Sequence, residues 1–321
     1  MTPPVSQFEQ IARSRNAWFD VDRAPNDPAT TAWKRAARLH QANWRDARGL
    51  PIGAHPYAGG DMATPVGSRL ALTDAVENGA NFLSAAALAA VKQRLAHPER
   101  HQTLSDDRLW ADLLSSMPLC FNLFGYVFAD DRRACDLAQH LSPGTTVRRA
   151  SLRFEHSPGR LDPQFLGNRS AFDAAVDVED GDGVAGIIGI ETKYHEHTQR
   201  AAVPKPERLA RYVEVTERSG VFRPDWRDAV LGTELQQLWL DHLLMLAMLQ
   251  HPSGRWRWGR FVLVSPARNP SFARAAERYG DVLEDAATFG YVTVEEVLHA
   301  PGLMPDDVRA AFSRRYLDFA P

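Results

Sequence analysis

Two apolar runs, SAFDAAVDVED and VAGIIGIETKYHE, meet at Asp180-Gly181-Asp182-Gly183. Strand-like residues on both sides of an Asp-Gly turn are a strong short-range signal for an antiparallel hairpin. A chain with this hairpin near its middle has to build a sheet around it. TTVRRASLRFEHS reads as a strand before the hairpin, RWRWGRFVLVSP as a strand after it, and GYVTVEEVL as a short last strand turning into a helix. Between and around these, RLARYVEVTERSG, GTELQQLWLDHLLMLAMLQ and NPSFARAAERYGDVLE have helical spacing. The order predicts an α/β fold, a mixed β-sheet flanked by helices.

Upstream of this unit the sequence reads as a helical region. FEQIARSRNAWF and TTAWKRAARLHQANWRDAR space their apolar residues as helices do, and SAAALAAVKQRLA follows with Asn81 or Ser84 as its cap. Leu50–Ser68 is rich in glycine and proline and reads as a loop or extended arm. DRLWADLLSSMPLCFNLFGYVF reads as a helix that stops near Pro118, then a second apolar segment. The expected division is a mainly helical region over 1–145, packed on a core over 146–321.

At 321 residues and 44% apolar content the chain has ample material for a hydrophobic core. A net charge of -3 confines any nucleic-acid surface to a local patch. Two cysteines, Cys120 and Cys135, are too few for a disulfide framework or a cysteine-built zinc site and fit a cytoplasmic protein. MTPPVSQFEQ lacks the basic and apolar segments of a secretory signal. The longest apolar run, LWLDHLLMLAML, is interrupted by Asp241 and His242, so it reads as a core helix and not as a membrane span. No GxSxG elbow and no GxxxxGK[ST] loop occurs, which removes the support for a serine hydrolase or a P-loop nucleotide enzyme.

Strand parity sharpens the chemistry. With Gly186–Tyr194 extended, Ile187, Gly189, Glu191 and Lys193 share one face, and Ile188, Ile190, Thr192 and Tyr194 the other. Gly189 marks a close approach by a ligand or another backbone. Asp173 lies about as far before the turn as Glu191 lies after it, which makes them cross-strand neighbours. Two carboxylates converging beside one ammonium call for a counter-ion, and oxygen donors suit Mg²⁺ or Mn²⁺. Lys193 would orient the attacking water and offset developing charge. Glu155, on the preceding strand, is a third acid that completes or extends this site.

The string FEHSPGRLDPQFLGNRSAFDAAVDVEDGDGVAGIIGIETKYHEH, with Asp173 followed on the next strand by Glu191-x-Lys193, resembles the D…(D/E)xK core of the PD-(D/E)XK nuclease superfamily. Within it the string is similar to a group of bacterial restriction-endonuclease-like proteins. LLSSMPLCFNLFG and LQQLWLDHLL are similar to the same group, so the resemblance reaches over roughly residues 40–300. It implies a restriction-endonuclease-like sheet and a Mg²⁺- or Mn²⁺-dependent endonuclease. By it Asp173 and Glu191 match the metal-binding acids, Lys193 the catalytic lysine, and the Thr192 carbonyl a further metal ligand. Gln237, or its neighbour Gln236, resembles a glutamine that some members use near the active site. The pattern departs at Phe172, which stands where the family carries proline. The resemblance further implies nucleic acid as the partner, with DNA ahead of RNA, and a role in restriction or defence. A homodimer and a defence-system partner or activator are compatible with it.

Plainer readings stand beside these. Glu191 and Lys193 could be a simple surface ion pair, and Glu155 a structural acid paired with Arg153 or Arg160. In the connection Ser157–Ser170, Arg160, Asn168 and Arg169 either approach phosphates or belong to an ordinary loop. RWRWGR (Arg255–Arg260) either stacks bases or alternates along a strand. His195 and His197 read as solvated histidines at a strand end, and His242 as a satisfied core histidine. The alternatives for the whole chain are an RNA-directed nuclease on the same fold and a non-catalytic interaction protein.

Overall fold

The hairpin forms and lies in the middle of a five-stranded sheet. In the computed structural model, which describes residues 6–55, 64–102 and 104–319, the chain opens with α1 (Gln7–Ser14) and α2 (Pro28–Ala47). Asp27 caps α2 by accepting from the Thr30 amide, and Pro28 takes the first helical position, where no amide is needed. A ribbon of β1 (Ile52–Ala54) and β2 (Pro65–Leu70) follows, then α3 (Leu72–Asn78), α4 (Ala85–Ala96, capped by Ser84), α5 (Ser116–Phe128) and α6 (Asp131–Leu141).

Two features of this region differ from the sequence expectation. The segment Leu50–Ser68 carries β1 and the start of β2 and is not wholly a loop; its residues 56–63 lie outside the described residues. Tertiary bonds create the ribbon: the Gly67 amide donates to the Asn16 carbonyl at 2.6 Å, and Arg45 donates to the Gly67 carbonyl at 2.7 Å. Pro118 does not end a helix but sits in the first turn of α5, whose amides have no partner within the helix.

The sheet then forms in chain order from β3 (Val147–His156), β4 (Phe172–Asp180), β5 (Ala185–Thr192), β6 (Trp258–Ser265) and β7 (Phe289–Thr293). Neighbours from β3 to β5 are antiparallel, and those from β5 to β7 are parallel. Helices α7 (Pro206–Ser219), α8 (Trp226–Val230) and α9 (Gln236–Leu249) join β5 to β6, and α10 (Pro270–Gly280) joins β6 to β7. Helices α11 (Val294–Leu298) and α12 (Asp306–Tyr316) close the described chain.

Alternation along the strands gives the sheet two buried faces. Phe154, Ala174, Val176, Ile188, Ile190 and Val264 pack against α5, α6, α11 and α12 in one cluster. Ala175, Ile187, Phe261, Leu263 and Phe289 pack against α7, α9 and α10 in the other. His242 lies fully buried in this second layer, with Nδ1 at 3.0 Å from the Tyr279 hydroxyl and Nε2 at 3.1 Å from Thr288 Oγ1. It is a satisfied core histidine, and burial pushes its pKa down to about 3. Among the described residues no helix is long and apolar enough to cross a membrane.

Candidate active site

The hairpin register pairs Ala174 with Ile190 and Ala175 with Gly189. Continued one step, it sets Asp173 across from Glu191 at the end of the turn-distal ladder. Lys193 projects from the same face, and its Nζ donates to Glu191 Oε1 at 2.6 Å. This is not a surface ion pair: Glu191 is 9% exposed and Lys193 8%. Burial pushes the Glu191 carboxyl well above its ordinary pKa, and the Asp173 charge adds to the shift. Burial disfavours the Lys193 ammonium, but Glu191, Asp241, Glu196 and Asp173 together raise its pKa and keep it charged.

Asp173 also ties the two strands together. Its Oδ2 accepts from the Thr192 amide at 2.8 Å and from Thr192 Oγ1 at 2.7 Å. On the other side of β5, the Lys193 amide donates to the Val264 carbonyl at 2.8 Å. Because the peptide is planar and trans, the Thr192 carbonyl points the opposite way, to the side of Asp173. The second oxygens, Asp173 Oδ1 and Glu191 Oε2, accept no protein hydrogen bond among the described residues.

Glu155 completes the acidic group. It lies opposite Asp173, between the Phe154–Ala174 and His156–Phe172 pairs, with φ +48° in the left-handed region. A non-glycine residue there costs on the order of 1–2 kcal/mol. The kink gives the Glu155 carbonyl to Arg160 at 2.8 Å and turns its carboxylate to the cleft. That carboxylate makes no ion pair among the described residues: Arg153 pairs with Asp177, and Arg160 with Glu99. Burial and the Asp173 charge raise its pKa to about 7.

A fourth acid comes from α9. Asp241 faces Lys193, and its Oδ2 is buried without a hydrogen-bond partner. Burial raises its pKa to about 7. One turn earlier, the exposed Gln237 lines the cleft, whereas Gln236 is buried and bonds Gly232 and the Ala202 carbonyl. Across the cleft, the start of α5 places Ser116 Oγ at 2.9 Å from Glu196 Oε1, and Arg108 and Lys34 complete the wall. With that wall, Glu155, Asp173, Glu191, Lys193 and Gln237 bound a polar cavity of about 680 Å³, which Asp241 does not line.

A buried glutamate and lysine beside a half-buried aspartate, at the ends of adjoining strands of a mixed sheet, are the arrangement of one nuclease core. A family model described as the PD-(D/E)XK nuclease superfamily matches residues 26–318. The chain belongs to that superfamily. No curated protein matches it, and no solved structure does. The mixed, helix-flanked sheet is the restriction-endonuclease-like fold of PD-(D/E)XK proteins.

Nucleases of the PD-(D/E)XK superfamily typically use divalent metals, and the donors here can be tested for fit. Among the described residues no three His, Cys, Asp or Glu side chains gather closely enough to hold an ion by themselves. The available set is Asp173 Oδ1, Glu191 Oε2 and the Thr192 carbonyl, all hard oxygens, with water for the remaining positions. That suits Mg²⁺, which keeps several waters. Four acids, Glu191, Asp241, Glu196 and Asp173, act on the Lys193 ammonium, and this gathering of carboxyl groups is the physical reason to admit a cation. The residues fit the group.

The cleft and its surroundings depart from the sequence reading in other places. Gly189 admits neither ligand nor backbone; the Phe172 ring lies 2.3 Å from where a Cβ would stand. The residue replacing the family proline is thus seated by a glycine on the next strand. We expect Gly189→Ala to cost about 1–3 kcal/mol in urea denaturation, because Phe172 is buried and cannot yield without shifting Asp173. An unchanged midpoint would show that the ring moves freely.

His195 is not solvated, since its Nε2 lies 2.9 Å from Asp22, a buried acid also held by Arg38. His197 is half-buried beside Lys34. Arg160 lies buried against Glu99 and Asn168 bonds the Tyr212 hydroxyl at 2.9 Å, so neither lines the cleft. Arg169 is exposed and also outside it. Trp256 packs into the core, and the Trp258 ring fills the space above Gly186, so neither is free to stack a base. Asp241, Lys34 and Ser116 were not among the sequence candidates. The signal for Asp241 is a charge set inside an otherwise apolar helix.

Proposed function

We propose that the protein is a Mg²⁺-dependent endonuclease that hydrolyses DNA. The observation carrying this reading is the convergence of half-buried Asp173 with buried Glu191 and Lys193 at the base of one polar cleft. Asp173, Glu191 and the Thr192 carbonyl would hold the ion. When bound, it supplies a Lewis acid for the scissile phosphate and lowers the pKa of the attacking water. Lys193, kept cationic by its acid neighbours, donates a hydrogen bond toward that water or a phosphate oxygen and offsets the charge that develops there. Glu155, with a pKa of about 7, is placed to accept a proton near neutral pH.

The core over 146–321 carries the acids, and the region over 1–145 lends Lys34, Arg108 and Ser116 to the opposite wall. A role in restriction or defence, in a cytoplasmic setting suited to two free thiols, fits this chemistry. A homodimer or an activating partner belongs to the same proposal.

The test is incubation of the purified protein with supercoiled, linear and single-stranded DNA and with RNA, in Mg²⁺, Mn²⁺ or EDTA. DNA cleavage should require metal and fall by at least about 10²-fold in Asp173→Asn. Cleavage of RNA alone would reassign the substrate. No cleavage, with no thermal shift on adding metal, would turn the reading toward a non-catalytic interaction protein.

A further inference from the structure

The catalytic cleft does not end at the acids. It runs on past His197 into a second cavity of about 750 Å³, and the two share Val21, His197, Gln199 and Arg200. Lys34 stands on the wall leading to this junction. Its residue is only 4% exposed, and Nζ donates to the Val21 carbonyl at 3.0 Å and lies 3.2 Å from His197 Nδ1. Among the described residues no carboxylate is within ion-pair distance of it. Asp22, whose charge acts on Lys34, is already engaged by Arg38 and His195.

An ammonium has three donors and is costly to bury without an anion. The fold therefore retains a cation with a donor to spare, facing the cleft. The second cavity continues the same sign. Arg23 and Arg200 are exposed there and make no ion pair among the described residues, whereas Arg274 and Arg278 are taken by Asp27 and Glu234. No tryptophan, tyrosine or phenylalanine is among the residues lining it. The aromatic ring that lines it is half-buried His197, so the surface has donors for phosphates and little platform for stacking bases.

We infer that this groove is a phosphate track, along which one strand of nucleic acid leaves the catalytic cleft. Lys34 takes the phosphate nearest the scissile bond, and Arg200 and Arg23 take those beyond. The inference rests on the nuclease reading and deepens it, since it makes this part of binding indifferent to base sequence.

The experiment is equilibrium binding of the full chain, in EDTA, to fluorescein-labelled oligonucleotides of two unrelated sequences, as single-stranded DNA, duplex DNA and RNA, over a salt series. Each lost phosphate contact lowers the slope of log affinity against log salt by about 0.7 on a single strand and about 0.9 on a duplex. The doubly substituted Arg23→Ala/Arg200→Ala protein should lose about two contacts' worth of slope and roughly tenfold in affinity. Lys34→Met should lose about one contact's worth, alike on both sequences. Arg148→Ala/Arg149→Ala, on exposed side chains of β3 paired with Glu179, should match the wild type. The two arginines of the track are exposed, so their result does not depend on the tolerance of the fold for a change at buried Lys34. Wild-type binding that keeps its affinity and slope in these variants would overturn the track and leave the nuclease reading standing. A wild type that binds none of the three probes would overturn the track together with that reading.

Discussion

Lys193→Met should abolish cleavage, by on the order of 10²–10³-fold or more, and should lower the stability of the metal-free protein by about 3–5 kcal/mol. Both effects have one cause. Lys193 is the cation closest to Glu191, at 2.6 Å, and its charge also acts on Asp173 and Asp241. Methionine keeps much of the apolar stem, so the substitution removes charge more than volume. Breaking a buried pair costs more than the pair contributes, because the partner is left desolvated and alone. The acids can limit that cost by taking up protons, which is why the estimate stays below the sum of several unpaired charges.

Added Mg²⁺ should return most of the lost stability and none of the activity. The ion replaces the missing positive charge, but it does not replace a hydrogen-bond donor aimed at the water or the phosphate. Urea denaturation with and without Mg²⁺, run beside a cleavage assay, separates the two. A variant as stable as the wild type in EDTA would mean that Lys193 does not balance the acids. A variant that cleaves at the wild-type rate would remove it from the chemistry.

The parts of the site legible in the sequence are those set by local periodicity. The Asp180–Gly183 turn fixes the hairpin, the register follows from the turn, and period-2 alternation then places Asp173, Glu191 and Lys193 on one face. The missing parts depend on which distant segment packs on which. Asp241 reaches Lys193 only because α9 lies on the second face of the sheet, and in the sequence it is a blemish in LWLDHLLML. Arg160 looks available in its loop, yet Glu99 claims it from far upstream. His195 sits at a strand end and would be solvated, except that Asp22 and Arg38 cover it.

Two further signals lie in the chain. Lysine is scarce in this arginine-rich sequence, with only four, and the scarcity that favours a role for Lys193 singles out Lys34 as much. Val308, Phe312 and Tyr316, each four residues apart, mark α12 as an amphipathic helix.

The stabilisation given by Mg²⁺ should grow with pH, from near zero at pH 5.5 to a thermal shift on the order of 5 °C at pH 8. Glu155 and Asp241 have pKa values raised to about 7, from ordinary values of 4.5 and 3.8. Between the ordinary and the raised value the folded protein holds a proton that the unfolded chain has released. Stability from these groups is therefore fully present below the ordinary value and is lost as pH rises through about 7. Asp173 and Glu191 are shifted in the same direction.

A cation at the site reverses the preference, because it binds the charged carboxylates and must displace their protons. Each proton displaced weakens apparent metal affinity about tenfold per pH unit below the carboxyl pKa. Histidines with lowered pKa, such as His242 and His195, work in the opposite sense below their ordinary value of 6.5. Comparing metal and EDTA at the same pH cancels that contribution, so the difference reports the acids alone. Melting curves at pH 5.5 and 8 test this, and a Mg²⁺ shift that is equal at the two, or larger at pH 5.5, would refute it. Glu155→Gln and Asp241→Asn should each flatten the metal-free decline. Only the metal response distinguishes an ion held by Asp173 and Glu191 from acids that merely share protons with Lys193.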